Sequence, residues 1–321
     1  MLFLSVFLLP INLNTIIIMF KVNKSKLFFS ALFCASLSFS HAQVHDPKDE
    51  KLYMNVNAWL KNLEDTSAEL LKNSTYLDTA QAKIQLKDAE GKIARVKKLK
   101  PSTKVLEKSE IAASVKESTV IFGMAYDCGK CHLTHVNPAS GYVIDEDGII
   151  VTNHHVVESF AKTQGRKNLA MPVQTSNGKV YLVTEILASN KDTDLCIVKV
   201  DTKGDKLRAL PLGNAAQQGE EIFVMGHPNQ MLYYFTQGIV VRNYLQPRSR
   251  SHANSTPEMD ISADYAAGSS GGPVVDNKGN LVGTVSSTRS IYYNPAEQKN
   301  LQMVVKNTKP VISLKKMISW K

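Results

Sequence analysis

Apolar and polar residues recur along this chain with two different periods, and the change of period divides it. Residues 50–98 contain no proline and only Gly91. Within them Val56, Trp59, Leu60, Leu63, Leu70, Leu71 and Leu77 fall at helical spacing, interrupted by polar Ser67 and Ser74. Ile84, Ile93 and Val96 extend the pattern into a second helix. The reading is one or two amphipathic helices over 47–98, ended by the punctuation of Pro101-Ser102-Thr103. Beyond it the apolar runs shorten and become β-branched: Thr119 to Ala125, Gly141 to Ile144, Ile149 to Val151, the alternating Leu195 to Val200, and Val282 to Val285 leading into Ser286-Ser287-Thr288. These predict strands. Thr308 to Trp320 reads as a closing C-terminal helix, with Pro310 in a first turn that tolerates a missing N–H.

The first 42 residues have another character. Residues 27–39 form an apolar core behind Lys21, Lys24 and Lys26, and Ser40-His41-Ala42 ends in a small residue. This predicts a secretory signal peptide over 1–42, cleaved after Ala42, and a periplasmic or secreted protein. Met19 offers an alternative start. A rival reading gives residues 1–20 to a membrane anchor, but Pro10, Asn12 and Asn14 weaken that stretch as a span, and Phe33 before Cys34 argues against a lipid anchor. No stable anchor is expected after cleavage.

Composition adds bounds. At 43% hydrophobic, 321 residues suffice for one or two domains. The formal charge is +9, and loss of the three leader lysines leaves +6. The cluster Lys92, Arg95, Lys97, Lys98, Lys100 and Lys104 reads as a solvated linker or helix face. No interleaving of aromatic and basic residues points to nucleic acid, which is not expected as a partner.

Candidate chemistry lies between residues 152 and 273. Gly268-Ser269-Ser270-Gly271-Gly272-Pro273 reads as a serine seated in a glycine-lined turn, where backbone N–H groups can approach a carbonyl unobstructed. A serine hydroxyl needs a base and an oxyanion site to act as a nucleophile. Upstream, Thr152-Asn153-His154-His155 follows an apolar strand, and Asp192-Thr193-Asp194 precedes another. The order His, Asp, Ser is that of chymotrypsin rather than of subtilisin or the α/β-hydrolases. Separations of 39 residues (155 to 194) and 76 residues (194 to 270) allow the first two groups one barrel and the serine a second.

Four blocks in this order resemble the HtrA-like trypsin-fold serine proteases: Ala139 to Val157, Asp192 to Val200, Leu210 to Asn214 with Gly219 to Pro228, and Gly268 to Gly283. The resemblance covers residues 115 to 320. It implies an all-β core of two antiparallel six-stranded β-barrels, chymotrypsin-like, over residues 110–321. Residues 43–109 become a helical extension and linker, either a strap packed on the barrels or an oligomerisation or partner-binding element. It further implies His155 as general base, Asp194 as its orienter, Ser270 as nucleophile, and the Gly268 and Ser270 N–H groups as the oxyanion hole. Polypeptides would be the substrates and no cofactor would be needed. Ser269 departs from the Asn or Asp usual in the family. The PDZ domain that such proteins often carry is not expected after the second barrel.

Two features stay open. Asp264, six residues before Ser270, is a candidate for the base of the primary pocket, favouring Arg or Lys, or else an ordinary loop residue. Ser286, Ser287 and Thr288 would pair with substrate as an added strand. Cys128-Gly129-Lys130-Cys131-His132, with His135 behind, admits a Cys128–Cys131 disulfide or thiol pair, a metal clip of Cys128, Cys131, His132 and His135, or c-type haem. Cys196 reads as a buried small side chain. The competing functions are a silent trypsin-fold binding protein and a metal or haem role at the Cys128–His132 motif.

Overall fold

The computed structural model describes residues 52–162, 167–247 and 255–321; the leader expected over 1–42 lies outside them. Helix α1 spans Val56–Asn73, capped by the Asn55 side chain on the Ala58 N–H, and buries Leu63 and Ser67. Ser67 can interrupt the apolar stripe because its hydroxyl donates to the Leu63 carbonyl one turn back, at 2.5 Å. Helix α2, Thr79–Asp88, opens with a reciprocal capping box between Asp78 and Gln81.

The second helix differs from its expected content. Ile84 is 62% exposed and Ile93 58%, while Ala82 and Leu86 are buried. Gly91 at φ +73° ends the helical path, and Val96 lies in a strand, β1, Ala94–Val96. Helix α3, Lys108–Ser118, starts at the end of the expected linker, runs mostly within the segment expected to be barrel, and buries Ile111 and Val115.

The first barrel contains β2 (Thr119–Asp127), β3 (Thr134–Asp145), β4 (Ile149–Thr152), β6 (Pro172–Gln174), β7 (Val180–Asn190) and β8 (Leu195–Val200). It closes in the order β2-β3-β4-β8-β7-β6, with β5 (Lys167–Ala170) beside the end of β2. Helix α4, His154–Ala161, follows β4. The second barrel is closed in the order β10-β11-β14-β13-β12-β9, from β9 (Glu221–Gly226), β10 (Tyr234–Pro247), β11 (Ser255–Ile261), β12 (Pro273–Asp276), β13 (Leu281–Asn294) and β14 (Lys299–Pro310). The described pairings within both barrels are antiparallel. This is the chymotrypsin-like double barrel.

The closing helix is shorter than expected. Thr308, Lys309 and Pro310 still belong to β14, pairing with β13, and helix α5 covers only Val311–Lys315. Ile318–Trp320 forms β15, parallel to β1. Pro310 stands as the N-cap, in extended backbone.

Strand β8 is buried on both faces. Leu195 and Ile197 enter one core, Cys196, Val198 and Val200 another. The first of these cores joins the two barrels: Ile121, Tyr142 and Val151 meet Phe223, Met225 and Val275, with Leu63, Ile111, Val311 and Leu314 from the helices. The helical extension therefore shares its core with the barrels. Among the described residues no helix is long and apolar enough to cross a membrane.

Candidate active site

His155 is the second residue of α4, and Asp194 closes the turn between β7 and β8. Asp194 has φ +52°, a conformation few residues other than glycine adopt, and several bonds hold it there. The Asn153 amide donates to its carbonyl at 2.8 Å, and the His155 backbone N–H to its Oδ1 at 3.0 Å. The imidazole Nδ1 lies 2.9 Å from Oδ2 and 3.0 Å from Oδ1. The Ser286 hydroxyl donates to Oδ2 at 2.6 Å. Burial alone would raise the Asp194 carboxyl; the bonds and attraction from His155, the Ser286 hydroxyl and the His155 N–H outweigh it and hold the group below its ordinary value. With Nδ1–H given to Asp194, the imidazole lone pair remains on Nε2.

His154, its neighbour, turns the other way. It is buried, its Nδ1 sits 2.8 Å from Ser189 Oγ, and burial lowers its pKa. Of the two adjacent histidines, only His155 meets the carboxylate.

The serine turn is bound to the first barrel. Ser140 on β3 donates its N–H to the Ser270 carbonyl at 3.0 Å and its hydroxyl to the Gly268 carbonyl at 2.8 Å. The same hydroxyl accepts the N–H of buried His227 at 3.0 Å. Gly271, at φ +85°, lies so close to the Ser140 carbonyl and Thr152 Oγ1 that a Cβ has no space. Gly268, at φ +98°, is pressed likewise against the His227 carbonyl. Neither the Gly268 nor the Ser270 N–H donates to a protein acceptor among the described residues. The Ser270 hydroxyl donates to the Ser286 carbonyl at 3.4 Å, not to His155. Ser269 is buried against Gly226, and its hydroxyl has no partner there.

The structure thus brings His155 and Asp194 into contact and links Ser270 and Asp194 through a single residue, Ser286. Sequence reasoning assigned Ser286 to substrate alone; its hydroxyl is committed to Asp194. The register of β13 against β14 shifts between Val285 and Ser287, which turns Ser286 inward while Ser287 and Thr288 stay exposed. Ser140 went unnoticed, since an isolated serine in a strand carries no signal.

Asp264 does not provide a buried carboxylate. Its side chain is 81% exposed and pairs with Lys306 Nζ at 2.8 Å, so its charge is already met at the surface. Two cavities, of about 320 and 600 Å³, are lined by none of His155, Asp194 or Ser270.

The cysteine motif is not joined as a disulfide. Cys128 and Cys131 are free, with sulfurs 3.4 Å apart against about 2.05 Å for a bond. Cys131 Sγ is 3.1 Å from His135 Nε2, and His132 is not part of the cluster. The nearby Lys130 N–H, the Cys131 thiol and the Cys131 N–H favour the Cys128 thiolate and lower its pKa to about 7. Cys196 is wholly buried, which pushes its thiol up.

Residues 139–283 match the sequence profile of the trypsin-like peptidase domain. The segment is similar to a trypsin-like peptidase domain. It takes in His155, Asp194, Ser270 and the Gly268 turn. The chain is 30% identical over 149 residues to Protease Do-like 1, chloroplastic, of Arabidopsis thaliana, covering 45% of this chain and 31% of that protein. It is 33% identical over 151 residues to serine protease HTRA3 of Homo sapiens, covering 46% and 32%. It is 31% identical over 159 residues to a probable periplasmic serine endoprotease, DegP-like, of Hahella chejuensis, covering 47% and 30%. The chain thus spans about a third of the length of each of these relatives. The matched segment runs from β3 into β13 and so takes in strands of both barrels.

Proposed function

We propose that this protein is an exported serine endopeptidase acting on polypeptides through Ser270, His155 and Asp194. The observation that carries the reading is the His155–Asp194 pair, with both carboxylate oxygens occupied and Nε2 left free, held beside a serine turn whose Gly268 and Ser270 N–H groups lack acceptors. In the reaction His155 Nε2 takes the Ser270 proton as Oγ attacks the scissile carbonyl. The two free N–H groups receive the oxyanion, and the leaving amine takes the proton back from His155. Water then hydrolyses the acyl-enzyme by the same route. Asp194 stays ionised throughout and stabilises the imidazolium.

Ser270 must first leave the Ser286 carbonyl and turn to His155, a rotation about one side-chain bond that bound substrate would favour by occupying the same strand edge. Beyond Ser286, β13 pairs with β14 on one side only, which supports recognition of extended substrate along Ser287 and Thr288. The export element of the reading rests on the leader pattern at 1–42 and on the periplasmic relative.

Labelling by a fluorophosphonate probe tests the proposal. The expected result is covalent modification of Ser270, abolished in Ser270→Ala and in His155→Ala. A folded protein that takes up no probe and cleaves no denatured polypeptide would make this a binding protein on a peptidase fold. Labelling that survives Ser270→Ala would assign the wrong nucleophile.

A further inference from the structure

The peptidase chemistry leaves the cysteine motif unused. We infer that Cys128, Cys131 and His135 form a zinc site at the tip of the β2–β3 hairpin, with Glu64 of α1 orienting the imidazole. Cys128 Sγ lies 3.4 Å from Cys131 Sγ, Cys131 Sγ lies 3.1 Å from His135 Nε2, and the three donor atoms all lie within 4.8 Å of one another. A tetrahedral zinc with Zn–S of about 2.3 Å and Zn–N of about 2.0–2.1 Å sets such donors roughly 3.5–3.8 Å apart. The Cys128–Cys131 and Cys131–His135 separations need only a few tenths of an ångström of expansion to admit the ion.

The surrounding backbone is shaped for a metal-bound thiolate. Gly129 at φ +68° makes the turn, and its N–H donates to Asp127 Oδ1 at 2.7 Å. His135 is fixed on β3, in register with Tyr126, whose ring lies 5.5 Å from its own. Its other nitrogen, Nδ1, is 3.8 Å from Glu64 Oε1, which also accepts the Val136 N–H at 3.2 Å. A carboxylate behind a ligating histidine is a recurrent support, setting both tautomer and ring direction.

The donor set selects the ion. Two sulfurs and an imidazole suit zinc and disfavour magnesium or calcium. On binding, each thiol gives its proton to solvent as its sulfur bonds the ion, with no change of oxidation state. The fourth position is open to water. The bound ion would fasten the hairpin to the helical extension through Glu64.

The test is a cobalt titration of the full chain, purified with reductant, followed by displacement with zinc. The expected result is one ion per chain, with the intense visible absorption of tetrahedral thiolate-bound Co²⁺ and its loss on adding stoichiometric zinc. Cys128→Ser, Cys131→Ser and His135→Ala should each weaken zinc at least about 100-fold. Glu64→Gln should weaken it roughly 10–100-fold, while His132→Ala leaves it unchanged. Circular dichroism should show every variant folded. Absence of the tetrahedral spectrum from protein whose two thiols titrate as free overturns the inference. So does loss of binding in His132→Ala with retention in His135→Ala, or recovery of Cys128 and Cys131 joined as a disulfide from protein exported by living cells.

Discussion

At Asp194 the backbone and the side chain answer to different neighbours. The left-handed backbone is held by Asn153, and the carboxylate by His155 and Ser286. Asp194→Asn should keep the fold but donate to Nδ1 and leave the proton on Nε2, so kcat at neutral pH should fall about 10⁴-fold. Ser286→Ala removes a hydrogen bond to a charged group, about 1.5–3 kcal/mol. It should lower kcat roughly 10–100-fold with little change in KM, and Ser286→Thr should restore much of the loss. Gly271→Ala should abolish probe labelling, because a Cβ there meets the Ser140 carbonyl and Thr152, neither free to withdraw. The order of His, Asp and Ser could be read from the chain. The burial of His154 against Ser189 and the surface pairing of Asp264 with Lys306 could not, since both depend on partners more than thirty residues away.

Among the elements, α1 was the most legible; of α2 the existence could be read but not the buried face. Asn55 and Asp78 mark the starts of α1 and α2 locally, and the stripe of α1 follows its core face. Leu63, fully buried, anchors that face in the core joining the barrels. Leu63→Ala should cost about 2–5 kcal/mol, read as a lower denaturant midpoint at unchanged slope. Strands β1 and β15 were illegible. Each is three residues long, and each exists only because the other, more than 220 residues away, supplies its hydrogen bonds. The same pairing explains why the closing helix stops at Lys315, for the residues after it turn to meet β1. Ile84 and Ile93 misled for a related reason: their apolar character carries no record of which face the barrel would cover.

Across the whole molecule, the contacts between the barrels include a buried hydroxyl pair and a buried histidine within the core they share. Tyr142 Oη and Thr284 Oγ1 are 2.7 Å apart, with both residues buried. Tyr142→Phe leaves the Thr284 hydroxyl unpaired and should cost about 1–3 kcal/mol of stability. His227 accepts the Tyr233 N–H at Nδ1, and its Nε2–H donates to the Val120 carbonyl, so both nitrogens are used by the neutral ring. Burial pushes its pKa down to about 4. Between roughly pH 6.5 and 4 the unfolded chain binds this proton and the native one does not, so this contribution falls as pH falls. It amounts to roughly 3 kcal/mol across that window, at about 1.36 kcal/mol per pH unit. Denaturant midpoints should drop over that range, and His227→Gln should flatten this part of the profile. The sequence by itself determined the β character of the core, the order of the reactive residues and the glycines their turn requires, because strand period and left-handed backbone are local properties. Tertiary structure alone decided that His154 turns away to Ser189, that Ser286 faces the carboxylate, that His135 rather than His132 joins the cysteines, and where β1 and β15 lie. Each of those outcomes is a pairing between distant segments, and a pairing has no energy until the chain has folded to bring its members together.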